Sequence, residues 1–177
     1  SLIPLIAGHA MASDDDIFMG IPRHVTDTNN HLNLALQAKE GSILLENRFT
    51  GEDMPALFFN PYHLAIGYTS AVTTMSLTAT YTFFSIVISF CFFLTLFWFI
   101  AQCTSRKQTR LKAFIIAATA SGFGLWFIII RRLTGLWYGS SELWVTEMNS
   151  FQSLSQPHFA LSTILMLAFI VFFFRSA

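Results

Sequence analysis

Apolar and polar residues follow one another along this chain in long blocks. Three blocks are almost continuously apolar, at about residues 78–103, 111–130 and 159–174. A helix needs roughly 20 mostly apolar residues to cross the hydrocarbon core of a bilayer. The pattern therefore predicts an all-α integral membrane protein with about three transmembrane helices.

Composition supports a membrane protein that belongs to a larger polytopic fold. Of the 177 residues, 54% are hydrophobic, 20 are Phe and 11% are charged, which is unusual for a soluble domain. The opening SLIPLIAGHAMA resembles the end of an earlier apolar helix, because no basic segment precedes it as in a signal peptide. We expect a polar first-loop region with short interfacial helices at 1–77, and a transmembrane region at 78–177 with a polar loop at 131–158.

The first region contains a predicted helix that starts at Thr28. Thr26 or Asp27 can cap its first turn, an apolar face follows, and Gly41 is a natural stop. The next run, ILLENRFTGEDMP, predicts a short extended segment followed by a turn. After it, PALFFNPYHLAIGYTSAV predicts an amphipathic or interfacial helix with aromatic residues suited to the headgroup zone. These aromatic residues are Phe58, Phe59, Tyr62 and Tyr68.

Three polar residues, Asp27, Asn30 and His31, fall near the start of the predicted Thr28 helix. Free backbone N–H groups and the helix dipole favour anions at that end of a helix. Asp27 is a single acid among Thr and Asn, and a helix cap explains it without any chemistry. As a catalytic base, Asp27 would need a substrate hydroxyl within reach. Both interpretations of Asp27 stay open from the residues alone.

Charge is distributed unevenly, although the formal net charge is zero. The segment TSRKQTRLK between the first two apolar blocks has four basic residues and no acid, which places the loop 104–110 in the cytoplasm. Three alternating spans then place residues 1–77 and 131–158 on the extracytoplasmic side. Arg131 and Arg132 oppose the rule at the outer end of the second span. They are either interfacial anchors or a site for a lipid phosphate or another anion.

The polar segments favour no particular metal site. His31, His63 and His158 share the predicted outer side but lie far apart in sequence, so no zinc site is predicted from them. The acidic run Asp14–Asp16 is a solvated loop or a set of oxygen ligands for a divalent cation. The cofactor is therefore unknown, with a divalent metal as one option. No basic face with interleaved aromatic residues is present, and this excludes a nucleic acid as partner.

The order of the polar elements adds a resemblance to a known group. The run TDTNNHLNLALQAKEGSILLENRFTGEDMPALFFNPYHLAIG, a Phe-rich span and the later TEMNSFQSLSQPHFALSTILM resemble bacterial polytopic membrane proteins related to GT-C glycosyltransferases. In those proteins the first large extracytoplasmic loop has an acidic residue before a pattern N.YLA..QA..G..LF.N.FT.E. A F.NP....G element follows, and a later loop reads E.NSF......PHFA. The resemblance covers about Phe18 to Leu167.

The resemblance implies an enzyme that transfers a sugar from a polyprenyl-phosphate donor at the extracytoplasmic face of a bacterial inner membrane. In GT-C enzymes an acidic residue of the first loop activates the acceptor or binds a metal. By position Asp27 matches this acid, and Glu52 matches the second acid of the pattern. The substrate or lipid-phosphate contacts that we predict with them are Asn30, His31, Arg131, Arg132, Glu147, Asn149 and His158.

A second hypothesis is a non-catalytic accessory transmembrane subunit of a larger membrane complex, which binds lipid and partner proteins. A piece with three spans would lack much of a donor site and could hardly cover its own apolar surface. Membrane lipids and other transmembrane helices or subunits are therefore the expected partners.

Overall fold

The computed structural model describes residues 3–13, 18, 20, 25–52, 54–119, 124–135 and 157–176. Across this part of the chain the regular structure is helical, and one isolated antiparallel β-bridge joins Leu45 and Phe58. The all-α class is confirmed for these residues. The helices are α1 (Ile3–Met11), α2 (Val25–Lys39), α3 (Pro61–Thr73), α4 (Leu77–Cys103), α5 (Lys107–Thr119), α6 (Gly124–Thr134) and α7 (Pro157–Ser176).

Helix α2 begins earlier than its sequence predicts. Its first residue is Val25, so Thr26 and Asp27 lie inside the first turn, and the prediction that one of them caps the helix is wrong. A Thr or Asp residue caps a helix when it directly precedes the first residue with helical backbone. Here both residues already have helical backbone. The Asp27 carboxylate still interacts favourably with the helix dipole, because it stands in the first turn.

The C-terminal end of α2 is where the sequence places it. Gly41 adopts a left-handed backbone conformation with φ of +98°. Its N–H donates to the Ala38 carbonyl at 3.0 Å, and the Ser42 N–H donates to the Gln37 carbonyl at 2.9 Å. These two bonds form a Schellman motif, for which glycine is favoured because it has no Cβ. The stop predicted at Gly41 is therefore confirmed.

The chain between α2 and α3 folds back on itself through extended backbone. Leu45 and Phe58 exchange two backbone hydrogen bonds, with N···O distances of 2.8 and 3.0 Å. The interfacial helix predicted for this part of the chain starts later than expected, at Pro61. Phe58 and Phe59, which we assigned to that helix, instead belong to the extended segment before it, because backbone pairing at Phe58 competes with helix formation.

An Asn-Pro pair fixes the start of α3. Asn60 is the N-cap, and its Oδ1 accepts hydrogen bonds from the backbone N–H groups of Tyr62 at 3.0 Å and His63 at 3.4 Å. Pro61 occupies the first helical position, where its missing N–H costs nothing. The cap therefore sets which residues of the first turn of α3 face α2.

Helices α2 and α3 pack closely at Gly67, in the middle of α3. A Cβ built on Gly67 would overlap the Ala35 carbonyl oxygen and would lie 2.5 Å from Ala38 Cβ. Ala38 also forms a small buried cluster with Leu45 and Leu64. This seam is built from small residues, which allow two helix backbones to approach each other.

The chain divides into two compact units, Ser1–Ile86 and Val87–Ala177, with the boundary inside α4. Helices α4 and α7 are long and apolar enough to cross a membrane, with 27 and 20 residues. Only 17% of the apolar window of each is buried, which differs from the buried core helix of a soluble protein. They correspond to the spans predicted at 78–103 and 159–174.

In the second unit, α4 and α7 run in the same direction. Near their C-terminal ends, Trp98 lies 6.0 Å from Phe172 between ring centroids, and the Arg175 guanidinium donates to Gln102 Oε1. Helix α5 runs back along α4, with Phe114 packed 5.5 Å from Phe97. Two parallel helices that both crossed a membrane would need a return crossing between them.

The return crossing is the role that we predict for the span at 111–130. That stretch comprises most of α5 and the first part of α6, on either side of residues 120–123, which lie outside the described residues. Neither helix alone has the length of a span, so the third span stays a prediction.

Replacing Gly67 with alanine tests the α2–α3 seam. We expect Gly67→Ala to lower the free energy of unfolding by about 1–3 kcal/mol, because the new methyl group overlaps backbone atoms that cannot rotate away. Thermal unfolding of the purified protein measures this. Gly51→Ala is the control, since nothing lies within 4 Å of a Cβ at that position. Equal stability of the two variants would contradict the close packing.

Candidate functional site

The candidate acid of the site stands on the first turn of α2. Asp27 is exposed, and Asn30 and His31 follow it at three and four residues. Residues at these spacings share one face of a helix, so the three side chains lie beside each other. The structure thus brings together the three predicted site residues of the first region that lie on α2.

A surface groove of about 400 Å³ lies between α2 and the segment that follows it, and Asn30 is one of its lining residues. Phe49 and Phe58, which flank the groove, have 62% and 49% of their surface exposed. Amide and carboxylate groups beside open aromatic faces suit a ligand that has both hydroxyl groups and apolar C–H surface. The lining residues are Asn30, Asn33, Leu34, Glu46, Asn47, Phe49 and Phe58.

The groove has an outer wall, formed by Glu46, Asn47, Phe49 and Phe58 of the segment that follows α2. Gln37 holds this outer wall against α2. Its side chain is 1% exposed, and its Nε2 donates to the Glu46 carbonyl at 3.0 Å while its Oε1 accepts from the Glu46 N–H at 2.9 Å. The side-chain amide thus pairs with the backbone of Glu46 as a neighbouring strand would. Nε2 also donates to Asn33 Oδ1 at 2.9 Å. One buried amide therefore fixes both walls of the groove.

Local hydrogen bonds shape the rest of the outer wall. Asn47 Oδ1 accepts from the Phe49 N–H at 3.1 Å, so the Asn47 amide nitrogen is the group that it can offer to a ligand. The Arg48 guanidinium contacts Glu46 at 2.8 Å and Glu40 at 3.6 Å. The hydrogen bond to Glu46 raises the pKa of Arg48. Because these groups are exposed, the ion pairs orient the side chains more than they stabilise the fold.

Two histidines meet behind this face. His31 Nδ1 lies 2.9 Å from His63 Nε2, and His63 is 3% exposed. The ring planes differ by 15° and the centroids are 5.1 Å apart. That separation is close to the longest that a 2.9 Å N···N contact permits, so the rings lie edge to edge in nearly one plane and are not stacked face on face. A hydrogen bond at this distance needs an N–H on one of the two nitrogens and a lone pair on the other, and the tautomers decide which nitrogen donates.

Protonation of this region is controlled mainly by burial. Burial lowers the pKa of His31, and the charge of Asp27 partly opposes this by raising it. Tyr62 packs edge-on against His63, with 5.3 Å between ring centroids. Burial raises the pKa of Tyr62 well above its ordinary value, and the neighbouring Tyr81 raises it further. Tyr62 is therefore neutral at physiological pH.

The geometry does not form a ready metal centre. A tetrahedral metal needs ligand lone pairs that converge on one point, whereas those of His31 and His63 are opposed along one line. Among the described residues, no group of three or more His, Cys, Asp or Glu side chains could hold a metal ion. The divalent cation considered from the sequence stays a prediction, and Asp14–Asp16 lie outside the described residues.

The other predicted site residues occupy several places. Glu52 is exposed in a turn where its N–H donates to Thr50 Oγ1, and it does not line the groove. Arg131 and Arg132 are exposed in the last turn of α6, in the second unit. There they complement the helix dipole.

Of the three site residues predicted in the later element TEMNSFQSLSQPHFALSTILM, the structure describes one. His158, also in the second unit, follows Pro157, the first residue of α7, where the missing N–H of proline costs little. Glu147 and Asn149 lie outside the described residues. The site as described therefore consists of the α2 face, the groove and the histidine pair, all in the first unit.

Sequence reasoning missed Gln37, the pairing of His63 with His31, and the groove residues that follow α2. In the sequence, Gln37 is one polar residue of a predicted helix, and its partner Glu46 lies nine residues away, beyond the end of that helix. His63 lies 32 residues from His31. The available signal was a histidine placed inside the mostly apolar stretch YHLAI, where an unpartnered imidazole would be costly.

Comparisons of the chain with models of protein families, with curated proteins and with solved structures found no match.

Replacing Gln37 tests whether one amide positions the groove. Gln37→Met keeps a similar volume but leaves the N–H and C=O of Glu46 without their buried partner. We expect the free energy of unfolding to fall by about 1–3 kcal/mol, the cost of unsatisfied buried polar groups. Thermal unfolding reports the loss. The exposed Gln108→Met is the matched control, and an equal effect of both substitutions would contradict this role of Gln37.

Proposed function

We propose that this chain is part of a GT-C-like membrane glycosyltransferase that transfers a sugar from a polyprenyl-phosphate donor at the extracytoplasmic face. The order of its sequence elements resembles that group, and the two helices suited to a membrane agree with a lipid-linked donor. The first unit supplies the candidate acceptor side of the site.

One observation carries this proposal: an exposed carboxylate stands one helical turn from a groove with amide and aromatic lining. Asp27 and Asn30 are three residues apart on α2, and Asn30 lines the groove. Asn33 and Asn47 can hydrogen-bond sugar hydroxyls, while Phe49 and Phe58 offer flat apolar faces to the C–H side of a sugar ring. A sugar in the groove would have a hydroxyl group near Asp27.

In the proposed reaction, Asp27 acts as general base toward the acceptor. Its carboxylate removes the proton from an acceptor hydroxyl as that oxygen attacks the anomeric carbon of the donor sugar. A new glycosidic C–O bond forms, the C–O bond to phosphate breaks, and the electron pair leaves with the polyprenyl phosphate. We propose that Arg131 and Arg132 stabilise the departing phosphate. Glu52 is the second candidate acid.

The substitution Asp27→Asn tests the base. We expect it to reduce sugar transfer by about 100-fold or more, because an amide cannot accept the proton. The assay uses the purified protein in liposomes, with mannosyl and glucosyl polyprenyl phosphate as donors, and measures released polyprenyl phosphate.

The matched control for Asp27→Asn is Glu40→Gln, which removes an exposed carboxylate just beyond the other end of α2. This control should transfer sugar like the unmodified protein. Both variants should stay folded, because the helix-dipole and ion-pair interactions of exposed carboxylates are worth at most about 1 kcal/mol. Full transfer by Asp27→Asn would rule out Asp27 as the base.

The exposure of α4 and α7 favours a second candidate, an accessory transmembrane subunit without catalytic activity. Phe90 and Phe169 keep 64% and 68% of their surface exposed, and such side chains need lipid or other helices to cover them. Under this alternative the protein co-purifies in mild detergent with other membrane proteins at fixed stoichiometry. It also transfers no sugar from either donor, with or without Asp27.

A further inference from the structure

We propose that His31 and His63 form a pH-sensitive latch that holds the N-terminal half of α2, with its candidate site residues, against α3. Closure requires one proton between the facing nitrogens, and protonation of both rings opens the latch. The latch itself depends only on the geometry of the two helices. An effect of latch opening on sugar transfer, through the position of Asp27, rests in addition on the proposed function.

Counting protons explains why the contact has two states. At 2.9 Å, His31 Nδ1 and His63 Nε2 need one N–H and one lone pair between them. Two neutral rings satisfy this condition, and so does one neutral ring beside one imidazolium. When both rings are protonated, two N–H groups and two positive charges face each other, so the hydrogen bond is replaced by repulsion.

The surroundings of the pair disfavour the doubly charged state. His63 is buried, and its edge contact is with Tyr62, which is neutral. Tyr81, at the start of α4, packs against Tyr62 with 6.5 Å between ring centroids and carries no charge to offset. From α2, the charge that acts on His31 is that of Asp27, one turn away. Asp27 is the carboxylate whose charge acts on His31 among the described residues, whereas full protonation places two positive charges at the pair.

The position of the pair determines what opening would release. His31 precedes Ala35 by one helical turn, and His63 precedes Gly67 by one turn, so the pair and the glycine seam are successive contacts along the same two helices. The seam is held by backbone packing that no proton changes. The latch lies on the side of Asp27, and its opening would free that end of α2 while the rest stays packed.

The direction of the pH effect follows from burial. His31 binds a proton less readily in the folded chain, where its pKa is lowered, than in the unfolded chain, where it is about 6.5. Below that pH the unfolded chain takes up more protons than the folded chain, so acid favours unfolding. Stability that depends on the pair is therefore complete above about pH 6.5 and falls as the pH drops through the lowered pKa of His31.

The first experiment compares thermal unfolding at pH 7.5 and 5.5 for the purified protein in lipid nanodiscs. We expect the midpoint of the unmodified protein to fall by several degrees on acidification. His63→Gln should fall by less than half as much, because a glutamine amide can hydrogen-bond to His31 but does not titrate. His9→Gln, which removes an exposed histidine outside the pair, should behave like the unmodified protein. An equal fall in His63→Gln and the unmodified protein would overturn the latch.

A second measurement keeps the test decisive if His63→Gln does not fold. Nitrogen-15 NMR of the unmodified protein, labelled at histidine, should show at pH 7.5 a scalar coupling between two imidazole nitrogens across their hydrogen bond. This coupling should disappear on acidification as both rings become protonated. Two rings without this coupling at pH 7.5, each titrating independently at its ordinary pKa, would rule out the latch.

Neither readout uses a sugar, so the two proposals fail separately. If the unfolding midpoint of His63→Gln falls as much as that of the unmodified protein while Asp27→Asn still abolishes sugar transfer, only the latch is ruled out. An intact pH effect with full sugar transfer by Asp27→Asn removes the proposed role of Asp27 only.

Discussion

The first unit depends on the close approach of two helix backbones at Gly67. Because Gly67 has no Cβ, Ala35 and Ala38 of α2 pack directly on α3. That distance sets every other contact between the two helices. One turn away it brings the imidazoles of His31 and His63 within hydrogen-bond distance. A larger residue in the seam would separate the helices, and the histidine contact would be lost along with the packing.

Polar side chains of this chain satisfy backbone groups in two ways. In the first unit a polar side chain, Gln37, stands in for a β-strand and pairs with backbone that no helix or sheet serves. In both units, hydroxyl groups of helices donate back to carbonyls of the preceding turn, as Thr80 does to Ser76 and Thr163 does to Phe159. The second solution suits a helix in lipid, where a hydroxyl has no water to bind.

Features that depend on a few neighbouring residues could be predicted from the sequence. Gly41 ends α2, as predicted, because a residue in the left-handed conformation is needed there. The two apolar helices near 78–103 and 159–174 follow from run length alone. The start of α2 was misplaced, since Asp27 has the chemistry of a cap but already belongs to the first turn.

Contacts across long sequence separations were decided by the tertiary structure alone. The sequence by itself determined the helical class, the apolar blocks and a polar first region with Asp27, Asn30 and His31 near the start of one helix. It could not pair His31 with His63, or Gln37 with Glu46, because such pairs depend on how two helices pack and where the chain between them returns. Hydrophobic patterns record which side of a helix is buried, but they do not record which partner buries it.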